Sequence, residues 1–130
     1  MGLFGKKPKK YYVILAEDNP DHQKLVKAIL SKYDVNLDIA NNGKELLAML
    51  PLKPYDVVLM DIQMPDMDGY TATEKIRSDS RYKHLVIIGL SAYAMDGDAH
   101  IAIVKGMDDY VTKPIDREVL IKTLRRYIKI

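Results

Sequence analysis

Five short apolar runs punctuate this chain, and each is followed by residues with helical periodicity. The runs are Tyr12–Ala16 (YVILA), Asn36–Ala40 (NLDIA), Tyr55–Met60 (YDVVLM), Leu85–Leu90 (LVIIGL) and Tyr110–Thr112 (YVT). Three of them are nearly unbroken in aliphatic residues. A strand with one wet face alternates apolar and polar side chains, whereas a strand covered on both faces need not. The runs therefore predict a parallel sheet buried between helices.

The intervening segments support this. From Pro20 to Tyr33, the residues Leu25, Val26, Ile29, Leu30 and Tyr33 mark one helical stripe, with Asn19 placed as N-cap and Pro20 at the first helical position. A second helix is expected over about Gly43–Leu50, stopped by Pro51, and a third from about Tyr70 to Ser78. A fourth is expected from about Asp96 to Lys105, ended by Gly106. The last follows Asp116 as N-cap, with Val119, Leu120, Leu124, Tyr127 and Ile128 on one face. Strand and helix alternate five times, which predicts an α/β fold: a doubly wound, five-stranded parallel sheet in a three-layer sandwich.

At 130 residues the chain makes one domain. It has no cysteine, which excludes disulfides, thiolate metal sites and a cysteine nucleophile. No apolar run is long enough for a membrane span. The formal charge of +2 is unevenly placed, because Lys6, Lys7, Lys9 and Lys10 stand without an acid in residues 1–10. Residues 11–130 carry 16 basic and 18 acidic side chains, which argues against nucleic acid as a direct partner. Residues 1–10 read as a basic, solvated N-terminal tail. They are too charged for a secretory signal, and Lys6 stands where a myristoylation signal needs Ser or Thr.

The polar residues at the strand ends carry the chemistry. Glu17 and Asp18 follow the first run, Asp61 the third, Ser91 the fourth, and Lys113-Pro114 the fifth. In an open parallel sheet every strand ends on one edge, where ligands bind. Three carboxylates, a hydroxyl and an ammonium are thus expected in one pocket. Each pair of acids about 4 Å apart costs roughly 1 kcal/mol in water and about 4 near a protein surface. A hard divalent cation resolves that conflict. Mg²⁺ suits it, since it uses one or two carboxylates and keeps waters for phosphate oxygens. One carboxylate is then free to attack a phosphoryl group, giving an acyl phosphate, with Lys113 and Ser91 offsetting the charge.

With these motifs in place, the sequence resembles the receiver domain of two-component response regulators over about Tyr12–Tyr127. The resemblance rests on ILAEDN (residues 14–19), VLMDIQMP (58–65), MDG (67–69), LSA (90–92) and GMDDYVTKP (106–114). Their wording is most similar to receivers that work with hybrid sensor kinases in phosphorelays. The resemblance implies a flavodoxin-like (βα)5 fold of strand order 2-1-3-4-5, with residues 11–130 as the receiver domain. It implies Asp61 as phosphoacceptor, and Mg²⁺ held by Glu17, Asp18, Asp61 and the Gln63 backbone carbonyl. Lys113 would contact the phosphoryl group, Ser91 and Tyr110 would act as switch residues, and the Lys113–Pro114 bond would be cis. Gln63 and Tyr93 occupy positions that influence dephosphorylation, and Tyr93 is bulky enough to shield the acyl phosphate.

The implied protein is a single-domain, cytoplasmic signalling module rather than an enzyme, with only self-phosphorylation and autodephosphorylation chemistry. Its donor would be a sensor histidine kinase or a histidine phosphotransfer protein. Its output would be a downstream effector protein that reads the face built from the fourth helix, fifth strand and fifth helix. It would be a monomer or a weak, phosphorylation-linked dimer. Three departures stand out: Glu17 in place of Asp, Ser91 in place of Thr, and Gly89 where alanine is usual. Gly89 is expected to loosen its strand. A haloacid-dehalogenase-type phosphatase would need an acid at Gln63. GLSAY (89–93) lacks the last glycine of a hydrolase elbow, and Gly43-Lys44 lacks the rest of a P-loop. EDNPDH (17–22) is acidic where a flavin-binding relative would need hydroxyls. His22, His84 and His100 are scattered and read as surface or rim residues.

Overall fold

Strand β1 (Tyr11–Ala16) leads through helix α1 (Pro20–Leu30) to β2 (Val35–Ala40), and α2 (Gly43–Met49) leads on to β3 (Val57–Asp61). Helix α3 (Gly69–Arg77), β4 (Val86–Ser91), β5 (Asp109–Thr112) and α5 (Arg117–Leu124) complete the order. The computed structural model describes residues 9–92, 101–103 and 105–130. Residues 101–103, between β4 and β5, are helical and are denoted α4.

The strands lie in the order β2-β1-β3-β4-β5, and every neighbouring pair is parallel. Side chains alternate across the sheet and divide the core in two. Val13, Leu15, Val57, Leu59, Ile88 and Leu90 pack against Val26, Ile29 and Leu30 of α1 and Leu120, Ile121 and Leu124 of α5. Their neighbours Ile14, Ala16, Val58, Met60 and Ile87 pack on the other face against Leu46 of α2, Ala72 and Ile76 of α3, and Ala102. Both faces are dry, which is why the central runs are aliphatic throughout. Burying each Leu or Ile stabilises by roughly 1.5–3 kcal/mol, so the inner strands anchor whatever their ends carry.

Register levels those ends. Ala16 pairs with Met60, so Glu17 comes alongside Asp61. Asp61 pairs with Leu90, and Ser91 with Thr112, which brings Lys113 to the same edge.

The helices start where side-chain caps are available. The Asn42 side chain accepts the Glu45 N–H, and the Asp116 side chain accepts the Val119 N–H. Caps of this kind are each worth about 1 kcal/mol.

Several sequence expectations shift. Pro51 lies inside a 3-10 turn, Leu50–Leu52, that continues from α2. The proline ends the α-helical ladder after the Leu50 N–H, which still donates to the Leu46 carbonyl. Leu25 and Val119 are 41% and 48% exposed, while Ile121 is buried. The inward stripe of α5 is thus 120, 121 and 124, and the expected helix stops at Leu124, with Ile128 buried in the turn beyond it. Of the expected fourth helix, residues 96–100 and 104 lie outside the described residues, as does Tyr93. Gly106 has φ +105°, the left-handed backbone that favours glycine after a helix. Gly89 does not leave its strand loose: a Cβ there would lie 2.6 Å from the Met107 Sδ, so the thioether already fills the space.

Candidate functional site

Asp61 closes β3, and the loop beyond it is folded tightly against the strand end. A Cβ on Gly69 would stand 2.5 Å from the Asp61 carbonyl oxygen and 2.8 Å from the Ile62 Cα. Only glycine lets α3 begin this close to the strand, and its N–H donates to the Ile62 carbonyl at 2.8 Å. Asp68 caps α3 through the Thr71 N–H at 2.8 Å. The Gln63 N–H donates to Asp61 Oδ1 at 3.2 Å, which fixes the carboxyl group.

The β1 end is fixed by the cap of α1. Asn19 Oδ1 accepts from the N–H groups of Asp21 and His22 at 2.8 and 3.2 Å. The chain therefore turns at once, and the Asn19 N–H donates to Glu17 Oε2 at 3.2 Å. Gln23 Nε2 bridges the Glu17 carbonyl and Asn41 Oδ1, tying this turn to the end of β2.

From the far side, the Lys113 N–H donates to the Ser91 carbonyl at 2.6 Å, extending the β4–β5 ladder by one step. The Lys113–Pro114 bond is cis. Lys113 Nζ donates to Glu17 Oε1 at 2.6 Å and lies 3.3 Å from Asp61 Oδ1. Residues 96 apart in sequence thus meet.

One carboxylate oxygen from each of Glu17, Asp18 and Asp61 lies within 4.8 Å of the others. Glu17 and Asp61 are 1% and 3% exposed, while Asp18 faces solvent. Burial, the Glu17 carboxyl bonded to it and that group's charge push Asp61 up to about 7, against the pull of Lys113 and the Gln63 N–H. Burial works against Glu17 too, but bonds from Asp61, Lys113 and the Asn19 N–H outweigh it and hold Glu17 below its usual value. Of the two buried acids, Asp61 is thus the one that holds a proton more readily.

This donor set fits Mg²⁺. It offers hard oxygens only, two from a dry floor and one from an open rim, so water and phosphate oxygens keep access. The clustered negative charge is also more than Lys113 alone offsets.

Ser91 is buried at the end of β4. Tyr110 on β5 is half-buried against the α2/α3 side of the core. Gln63 is exposed in the loop after β3.

The sequence reading took His22 for a surface or rim residue; it stands on the rim, 44% exposed, and reaches into the site. Its Nδ1 lies 3.1 Å from both Glu17 Oε1 and Lys113 Nζ. It stands three residues after the N-cap, a position whose side chain leans back toward the helix start. That spacing was the available signal. Among the described residues no helix is long and apolar enough to cross a membrane.

A family model described as the response regulator receiver domain matches residues 13–125. The chain is 40% identical over 123 residues to hybrid signal transduction histidine kinase I of Dictyostelium discoideum, covering 89% of this chain and 7% of that kinase. Among solved structures it is similar to the receiver domain of sensor histidine kinase PA1611 from Pseudomonas aeruginosa PAO1, which has a magnesium ion coordinated in its active site cleft. That match has 33% identity and a TM-score of 0.82, covering 90% of this chain and 96% of that one. A third match is the co-crystal structure of the Saccharomyces cerevisiae histidine phosphotransfer signaling protein Ypd1 with the receiver domain of its downstream response regulator Ssk1. There the identity is 26% and the TM-score 0.85, covering 94% of this chain and 91% of that one. The chain spans only a small part of the first curated relatives it matches.

Proposed function

Because this chain belongs to the response regulator receiver domain family, we propose that it accepts a phosphoryl group on Asp61 and relays that state to a partner protein. The observation that carries this reading is the placement of Lys113 Nζ at 3.3 Å from Asp61 Oδ1, beside a three-carboxylate cluster. Glu17, Asp18, Asp61 and the Gln63 carbonyl would hold Mg²⁺. When bound, that ion would neutralise the acids and orient phosphate oxygens.

In the reaction, an Asp61 carboxylate oxygen forms a bond to phosphorus as the bond to the donor's leaving group breaks, and the leaving group departs with that electron pair. Lys113 exchanges part of its contact with Glu17 for the new phosphoryl oxygens, offsetting their charge. The Ser91 hydroxyl then donates to a phosphoryl oxygen. Tyr110 turns further inward, and the face built from α4, β5 and α5 changes its contacts. The phosphoryl group biases this switch only by its differential interaction with the two states.

The similarity to receivers of hybrid kinases, and to one bound to a histidine phosphotransfer protein, supports a histidine-borne phosphoryl donor. The setting is cytoplasmic, the output is an effector protein, and the state is a monomer or a weak phosphorylation-linked dimer. Incubation with Mg²⁺ and a small phosphodonor should label the wild type but not Asp61→Asn. Equal labelling of both proteins overturns the acceptor assignment.

A further inference from the structure

The first turn of α1 leans the His22 ring over the strand ends. Asn19 Oδ1 accepts the His22 N–H at 3.2 Å, and that cap sets the turn. Nδ1 of the ring then lies 3.1 Å from Glu17 Oε1 and 3.1 Å from Lys113 Nζ, and those two are joined to each other at 2.6 Å. An ammonium only donates and a carboxylate only accepts, whereas a nitrogen of neutral imidazole does one or the other. Facing Lys113, Nδ1 accepts and the ring hydrogen sits on Nε2. Facing Glu17, Nδ1 carries the hydrogen and donates. With Lys113 already on Glu17 Oε1, a hydrogen on Nδ1 would point at the ammonium's own hydrogens. Nδ1 therefore accepts from Lys113.

The ring stands apart from the metal-binding set. Among the described residues, the side chains able to share a cation there are Glu17, Asp18 and Asp61, and a cation on Nδ1 would meet the charge of Lys113.

Phosphoryl transfer disturbs this triangle. New oxygens on Asp61 draw Lys113, 3.3 Å away, off Glu17. Glu17 Oε2 keeps the Asn19 N–H, but Oε1 loses its donor in a place water hardly reaches. A buried carboxylate oxygen without a donor is costly. Gln23 cannot supply one, because its Nε2 already donates to the Glu17 carbonyl and to Asn41 Oδ1. His22 Nδ1 is already within reach.

We propose that His22 is a positioning residue that exchanges places with Lys113 on Glu17. Before transfer, Nδ1 accepts from the ammonium and helps hold it beside Asp61. After transfer, Nδ1 takes a proton from water as Nε2 gives one back, and the Nδ1–H donates to Glu17 Oε1. The ring is part-exposed, so water reaches it, and it keeps one hydrogen and its neutral charge throughout. Lys113 is thereby released to the phosphoryl oxygens without stranding Glu17. This inference rests on Asp61 as phosphoacceptor and adds the group that restores a donor to Glu17.

The test uses the full chain near pH 8, where imidazole is neutral, and nitrogen-15 NMR to show which ring nitrogen carries the hydrogen. In the metal-free wild type, Nδ1 should be bare. With Mg²⁺ and beryllofluoride, an anion shaped like a phosphoryl group, Nδ1 should carry the hydrogen. Metal-free Lys113→Met should show the same change with no phosphoryl mimic present, because Glu17 again lacks its lysine. A hydrogen that stays on one nitrogen in all three states overturns the proposal. Affinity gives a second readout. His22→Phe keeps a flat ring without nitrogen and should weaken beryllofluoride binding about tenfold, the worth of one hydrogen bond to a charged group. His22→Asn sets an amide, able to accept or donate, at about the reach of Nδ1 and should bind within about twofold of wild type. Equal loss in both variants, or no loss in His22→Phe, overturns the proposal. Urea midpoints near that of wild type keep a packing loss from imitating either result. The Asp61 reading fails separately, by equal labelling of wild type and Asp61→Asn, while the Lys113→Met spectrum still decides the exchange at His22.

Discussion

Replacing Asp61 by Asn should stabilise the metal-free protein, and the gain should depend on pH in a defined sense. An unfolded Asp ionises near its ordinary value of 3.8, while the folded chain holds Asp61 up to about 7. Below about pH 4 both states are protonated and nothing is lost. Between those values the unfolded chain ionises freely and the folded one does not, so folding becomes costlier as pH rises. Above about 7 the full cost is present. Three pKa units at about 1.4 kcal/mol each set a ceiling of about 4 kcal/mol. The proton shared with Glu17 keeps the variant's excess below that ceiling, because the two carboxyls titrate as a pair. Urea unfolding with EDTA near pH 8.5 should show that excess for Asp61→Asn, shrinking toward zero near pH 4.5. Saturating Mg²⁺ should narrow or reverse the difference at the higher pH, because it stabilises the folded wild type in proportion to ln(1 + [L]/Kd). If the variant is no more stable at pH 8.5, or equally stabilised at both pH values, the crowded-carboxylate account is wrong.

Two further outcomes follow from packing and from the second carboxylate network. Gly69→Ala puts a methyl group against backbone atoms at 2.5 and 2.8 Å that have no room to yield. It should cost about 1–3 kcal/mol by urea titration and slow phosphoryl labelling by displacing Asp61, whereas wild-type labelling in a destabilised variant would uncouple the helix start from the acceptor. Asp38 accepts from the Tyr55 hydroxyl at 2.7 Å and Lys53 Nζ at 2.9 Å, and these bonds outweigh burial to hold its carboxyl below the usual range. That stabilisation is complete above about pH 4 and drains away as pH falls through the folded value. Tyr55 is pushed well above the usual phenol range by burial and by Asp38, so the neutral-phenol contribution is intact below pH 10 and fades at higher pH. Tyr55→Phe should flatten both flanks of the stability profile, and an unchanged profile would remove the pair from the account.

What the sequence disclosed, and what it withheld, follows from the range of the forces involved. The central strands were legible because Val13–Ala16, Val57–Met60 and Ile87–Leu90 must be apolar on both faces. No other environment explains such runs beside helical stripes. The meeting of Glu17, Asp18, Asp61 and Lys113 was legible for a topological reason. Parallel strands end on one edge, and in-register pairing of Ala16 with Met60 and of Ser91 with Thr112 levels those ends. Position within a helix was less legible. Leu25 lies about 90° and Val119 about 150° round the helix from the centre of its buried stripe, and apolar character alone does not tell an exposed position from a floor. The contacts of His22 were not legible because they depend on where one cap sets the first turn. That placement depends on two hydrogen bonds to Asn19 rather than on any periodicity. Gly89 was misread for a related reason: a missing side chain looks like slack until Met107, 18 residues later, is seen to occupy it. Long-range order imposed by the sheet is thus encoded redundantly, many residues voting for one topology. The contacts that tune the site rest on single side chains, and substituting those should change rates and pH dependence while leaving the fold in place.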